Sequence, residues 1–243
     1  MSAALLAAKL ALGPLLLPQA HWLRRTALRL PEAASAREGL VGRGKVALRL
    51  LVVGDSSAAG VGVADQAQAL TLPLAKVLSE RLDAAVSWQL VAQSGVNAAQ
   101  ASEMLAQAQL QPADVVVIVL GVNDVGSQTR APQFAAQLSL LWERLRQRTG
   151  ARWAVACGVP PMHLLPAVPQ PLRWYLGRYA GWLDAAMRRW TQQQGLGYCA
   201  LHWAADPGNL ATDGFHPGPG LYPQWAGRLA GIIDGSRDRW ATP

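Results

Sequence analysis

The chain has 243 residues, 51% apolar and 15% charged, with two cysteines and a net charge of +7. So apolar a composition excludes a disordered chain, and a core of the size it allows needs no disulfide framework. The charge is concentrated at one end: residues 1–50 carry eight Lys/Arg against Glu32 and Glu38, whereas the remaining 193 hold 14 basic and 13 acidic groups. A nearly neutral body argues against a nucleic-acid-binding globule, whose basic footprint lies on its folded face.

Residues 3–17 (AALLAAKLALGPLLL) are apolar except for Lys9, and Pro14 and Pro18 are expected to interrupt or end the run. The stretch is shorter than the roughly 20 apolar residues a spanning helix needs. No basic residue precedes it, as a secretory signal would require, while Arg24, Arg25 and Arg29 follow it. Three readings stay open: a tethering helix at a membrane interface, a poor signal peptide, and a helix packed on the protein's own surface. The positive-inside tendency places the body on the cytoplasmic side of a membrane, with export as the alternative. Leu30–Gly44, with Pro31, three glycines and mixed charges, reads as a linker. Residues 1–45 are thus an arm and linker, and 46–243 one domain.

The domain alternates β-branched runs with helical patterns. Strands are expected at 46–53, 86–91, 115–120, 153–157 and 198–201. Helices are expected at 67–82, 98–110, 132–149, 171–194 and 219–234. The run VVVIVL at 115–120 suits a central strand covered on both faces. Such a series builds a parallel sheet with helices on both sides, and ligands gather at the carboxyl ends of its strands. The proline-rich connection 158–170 reads as an ordered loop beside that edge. Cys157 and Cys199 form no CxxC pair, which excludes a zinc knuckle, and buried free thiols are expected over one bridge.

Four strand ends carry chemistry. The first strand leads into Gly54-Asp55-Ser56-Ser57-Ala58-Ala59-Gly60, a tight turn that would expose a serine hydroxyl; a serine needs a base to become a nucleophile. A phosphate-cradling loop is the weaker alternative, since the full glycine patterns are absent. Asp213-Gly214-Phe215-His216-Pro217 places a carboxylate three residues before an imidazole, so that it can reach Nδ1 and leave Nε2 outward as a base. Gly121-Val122-Asn123-Asp124 and Ser94-Gly95-Val96-Asn97 offer a side-chain amide and backbone N–H groups to a developing oxyanion. Each has a structural alternative: a helix cap, a turn glycine, a rigid loop.

GDSSAAG, the glycine of SGVN, GVND and DGFHP, in this order, resemble the four sequence blocks of the SGNH (GDSL) hydrolases over about residues 46–235. The resemblance implies a flavodoxin-like three-layer α/β/α fold with a five-stranded parallel sheet, and a serine esterase without metal or cofactor. It implies Ser56 as nucleophile, His216 as base and Asp213 as third member of the triad, with Ser56, Gly95 and Asn123 as oxyanion donors. One departure stands in the second block, where Gln93, Asn97 and Ala98 replace the common Asn, Ser and Gly. The expected partners are a small-molecule or lipid ester, lysophospholipid-like or acetylated, and a membrane surface through residues 1–25, with no nucleic acid. A catalytically silent lipid- or glycan-binding module is the rival reading. Scattered His21, His163 and His202 make no metal site, and Tyr175, Tyr179 and Trp182 form one helical stripe read as core packing or as part of an acyl-binding wall.

Overall fold

The apolar run in the middle of the chain forms a strand, β4 (Val115–Val119), with all five residues buried. A computed structural model, which describes residues 3–204 and 206–241, places β4 inside a six-stranded sheet. The other strands are β1 (Glu38–Val41), β2 (Val46–Gly54), β3 (Ala85–Ala92), β5 (Trp153–Cys157) and β6 (Gly197–Cys199), in the spatial order β1-β3-β2-β4-β5-β6. Five strands run parallel in the flavodoxin-like order 2-1-3-4-5. These are the five parallel strands expected, and β1, which pairs antiparallel with the edge of β3, adds a sixth. Its residues, 38–41, come from the segment read as a linker. They lie largely exposed on an edge, so no apolar period marks them.

Period two divides the core into two layers. Leu51, Val53, Val116 and Ile118 face α4 (Ala98–Gln107), α6 (Ala131–Thr149) and α7 (Leu172–Gln194). Leu50, Val52, Val115 and Val117 face α3 (Thr71–Leu82) and α8 (Leu221–Asp234). Each fully buried aliphatic side chain contributes about 1.5–3 kcal/mol, so this two-sided burial dominates the stability. Helix ends follow local chemistry. Asn97 and Gln100 make a capping box at the start of α4, Pro132 sits in the first turn of α6, and Gly195 closes α7.

The N-terminal run is one helix, α1 (Ala3–Thr26), with Pro14 and Pro18 inside it, which corrects the expected break. A proline frees the carbonyl four residues earlier. Here those carbonyls belong to Leu10 and Pro14, both exposed, where water can take them. Leu5 and Leu16 are buried, with Leu12, Ala20 and Leu23 packed beside them. Gln19 ties α1 to the start of α7: its Nε2 donates to the Gln170 carbonyl (2.7 Å), and its Oε1 accepts from Leu172 N–H (3.1 Å). Packing on the protein's own surface therefore describes one face of α1, and its outer face stays exposed.

Candidate active site

The parallel order reverses direction between β2 and β4, and the crevice beyond their carboxyl ends is where such sheets bind ligands. The chain leaves β2 through Gly54 and enters a one-turn helix, α2 (Ser56–Ala59), capped by Asp55 and Gly60. Asp55 N–H donates to the Val119 carbonyl (3.1 Å), and its carboxylate accepts from Ser57 N–H (3.0 Å). Tyr222 of α8 clamps the turn from behind, donating to the carbonyls of Ser57 (3.1 Å) and Val61 (3.0 Å). Ser56 is left at the head of the turn.

The partner loop arrives 160 residues later. A bond from Ala211 N–H to the His216 carbonyl and another from Gly214 N–H to the Ala211 carbonyl, each 2.9 Å, close it into a compact bend. One carboxylate oxygen of Asp213 accepts the N–H groups of Phe215 and His216 (3.0 Å each), and the other lies 2.5 Å from His216 Nδ1. His216 Nε2 lies 2.9 Å from Ser56 Oγ. The imidazole bond thus goes to Ser56, and Ser57 is occupied through its N–H at Asp55. Gly62 fits the two segments together. Its φ is +106°, and a Cβ there would lie 2.2 Å from the Pro217 carbonyl oxygen.

Three aspartates sit in or under this edge, and their surroundings shift them in different directions. Burial raises Asp213, but bonds from the His216 ring and the backbone N–H groups of His216 and Phe215 outweigh it and hold the carboxyl below its ordinary range. Burial pushes Asp55 up to about 7, with the Ser57 N–H opposing and Asp124 adding to the rise. Burial likewise lifts Asp124 to about 6, against the Ala98 N–H.

Gly95 and Asn123 come to the same edge. Gly95 adopts φ +86°, a conformation favouring glycine whatever the surrounding space. Asn123 lies in the first turn of the short helix α5 (Val122–Gly126). Its Nδ2 donates to the Val96 carbonyl (2.9 Å) and contacts Asp55 Oδ2 at 3.4 Å, which links three segments. Asp124, fully buried, accepts from Ala98 N–H (3.1 Å) and locks α5 to α4. Two of the three departures in the second block have structural occupations: Asn97 caps α4, and Ala98 supplies that N–H.

Sequence reasoning missed Glu32, which lies in the supposed linker. Its carboxylate accepts from Ser94 N–H (2.6 Å) and pairs with Arg37, whose guanidinium donates to the Ala92 carbonyl (2.7 Å). The loop that carries Gly95 is therefore anchored from the N-terminal segment. The available signal was an isolated acid, the first in a chain whose preceding 31 residues contain none.

An apolar cavity of about 50 Å³ adjoins the serine turn, lined in part by Val122, Leu165, Leu210, Phe215 and Trp225. Tyr175 and Tyr179 are buried and bonded to the α5–α6 connection, through Gln128 Oε1 (2.5 Å) and the Thr129 carbonyl (3.0 Å), which favours the packing reading of that stripe. Both also face a groove under α1. Cys157 and Cys199 are free and buried on opposite members of the β5–β6 pair. Among the described residues no group of three or more His, Cys, Asp or Glu could hold a metal ion.

Residues 52–223 match the model of the GDSL-like lipase/acylhydrolase family. Among solved structures, the chain is similar to the psychrotrophic esterase EstA from Pseudoalteromonas sp., at 18% identity and TM-score 0.57, over 78% of this chain and 98% of that one. It is also similar to a protein named TesA, at 23% identity and TM-score 0.59, over 77% and 98% of the two chains. A third likeness is to phospholipase A1 from Streptomyces albidoflavus NA297, at 17% identity and TM-score 0.57, over 77% and 100%. At these identities the likeness is one of fold. No curated protein matches in sequence. The family match extends over well more than half of the chain and encloses the serine turn, the segments that carry Gly95 and Asn123, and the histidine loop: the chain belongs to the GDSL-like lipase/acylhydrolase family and is an ester hydrolase.

Proposed function

We propose that the chain hydrolyses carboxylic esters through an acyl-enzyme on Ser56. The observation that carries this reading is the continuous relay from Asp213 to His216 (2.5 Å) to Ser56 Oγ (2.9 Å). Ser56 Oγ attacks the ester carbonyl carbon as its proton passes to His216 Nε2. Asp213, ionised and facing Nδ1, stabilises the imidazolium. The oxyanion accepts from Ser56 N–H, Gly95 N–H and the Asn123 amide. The C–O bond to the alcohol then breaks, and the alcohol leaves with the proton from Nε2. Water attacks the acyl-serine, gives its proton to His216, and frees the carboxylic acid while Ser56 recovers its hydrogen.

Lipid-derived esters, lysophospholipid-like in shape, or acetylated molecules are the proposed substrates. The apolar walls near the serine turn support an acyl group there. The fold likeness to a protein named as a phospholipase A1 points the same way.

The test is aryl-ester turnover with fluorophosphonate labelling; the similar Pseudoalteromonas esterase is described as inhibited by monoethylphosphonate. Native chain and Ser57→Ala should both hydrolyse the ester and take the label, with Ser56→Ala doing neither. A folded native chain that refuses the label would favour the silent binding module. Turnover that survives the reagent and falls with a chelator would refute serine chemistry.

A further inference from the structure

We propose that α1 docks the protein on an anionic lipid bilayer, lying flat at the boundary between headgroups and acyl chains. The helix is apolar on two sides, and the fold uses one. Leu5, Leu12, Leu16 and Leu23 pack toward α7, and the Gln19 bonds to Gln170 and Leu172 fix the rotation of α1. The opposite arc leaves Leu6, Leu10, Leu15, Leu17 and Trp22 in solvent, Leu10 and Leu17 more than 70% exposed (72% and 74%). A run of large apolar side chains left in solvent beside a packed face marks an interaction surface. Among the described residues no helix is long and apolar enough to cross a membrane, so the exposed arc suits a bilayer surface.

Charge selects the kind of surface. The first 31 residues contain no Asp or Glu, and they carry Lys9, Arg24, Arg25 and Arg29. All four are exposed, and none forms an ion pair among the described residues. Leucines beside unpaired cations are the composition of an interfacial helix, whose binding combines apolar burial with attraction to anionic headgroups.

The same arc also forms one wall of a groove of about 1150 Å³. Leu10 and Leu17 stand on one side, Tyr175 and Tyr179 line it from α7, and Arg130 joins Lys9 and Arg24 as a third cation. Gly126, the last residue of α5, and Gln128, just beyond it, also line it. A docked chain would thus meet lipid along an apolar channel that shares an element with the ester site.

The experiment is co-sedimentation of the full chain with vesicles of phosphatidylcholine alone or mixed with phosphatidylglycerol. Binding is expected to the mixed vesicles, weaker by tenfold or more to phosphatidylcholine alone, and reduced by salt. Leu10→Ser with Leu17→Ser should weaken it at least tenfold. Neutralising Lys9, Arg24 and Arg25 to Gln should weaken it roughly a hundredfold, at about fivefold per cation. Both variants should keep the native melting temperature and the native turnover of a water-soluble aryl ester, which separates this proposal from the reading of the ester site. Failure to sediment, equal binding to both vesicle types, or native binding by the leucine variant overturns it. So does a native dimer in vesicle-free buffer that the leucine variant converts to monomer, because a second copy then covers the arc.

Discussion

Asn123→Ala separates two tasks that one side-chain amide performs. One hydrogen of Nδ2 goes to the Val96 carbonyl at 2.9 Å, and the contact to Asp55 at 3.4 Å is too long to hold the other firmly. That second hydrogen is the one a reacting carbonyl oxygen would accept. Loss of a single oxyanion donor costs about 2.7–4 kcal/mol of transition-state stabilisation, roughly 10²–10³ in kcat, with KM little changed. The first hydrogen predicts a separate loss. Val96 is 6% exposed, and a buried carbonyl stripped of its donor costs about 1–3 kcal/mol. For a chain of this length about 2 kcal/mol corresponds to a fall in Tm of roughly 4–8 °C. Initial rates on an aryl ester, taken well below both melting temperatures, together with thermal denaturation, read the two effects independently. A variant that loses the expected stability yet keeps kcat within about threefold of native would refute the oxyanion role and leave Asn123 a strut for Val96.

Glu32→Gln keeps the size of the side chain but removes the charge that holds Ser94 N–H and Arg37. Turnover should fall by about tenfold as the Gly95 loop loosens, and native rates would show that the anchor is dispensable. Gly62→Ala should lower Tm and turnover together, because the new Cβ meets the Pro217 carbonyl at 2.2 Å and strains a backbone at φ +106°; a stable, active variant would contradict the close fit. Asp55 is more protonated in the fold than in the unfolded chain, so its contribution to stability is complete below the ordinary carboxyl pKa and is lost as pH rises toward about 7. Asp55→Asn should abolish that loss, so urea denaturation at about pH 5 and about pH 8 should give the variant a flatter profile than the native chain. Parallel profiles would refute the assignment.

The parts of this molecule that were legible in sequence are those where chemistry and periodicity are local. VVVIVL announces a central strand because it is buried on both faces, and the groups at the strand ends fall on one edge because parallel strands share a direction. Four residues of β1 on an exposed edge carry no such pattern. The short helices α2 and α5 contain too few residues for a 3.6-residue period to show, although Asp55 before SSAA and Gly60 after it are ordinary capping signals. Glu32 was hidden for another reason: its partner Ser94 lies 62 positions away, and no local rule links an arm carboxylate to a loop N–H. The prolines of α1 misled because the breaking rule assumes that freed carbonyls must be satisfied by protein, whereas those of Leu10 and Pro14 belong to exposed residues.

Spacing singled out Asp213, three residues before His216, and the surroundings of the three aspartates at this edge support that choice. Asp55 adjoins Ser56 in sequence and Asp124 adjoins Asn123, yet only Asp213 lies near the histidine along the chain. Environment separates them. Asp55 and Asp124 are desolvated beneath the edge, which raises them to about 7 and about 6, and each is committed elsewhere, the first to Ser57 N–H and the second to Ala98 N–H. Neither carboxylate has a hydrogen bond to the His216 ring among the described residues. Asp213 receives two backbone N–H groups on one oxygen, which hold it ionised and leave the other oxygen for His216 Nδ1. Groups whose surroundings push their ionisation apart reveal their separate uses. Of the three, Asp213 alone reaches the ring and is held below the ordinary carboxyl range, while the other two brace the serine turn and the junction of α5 with α4.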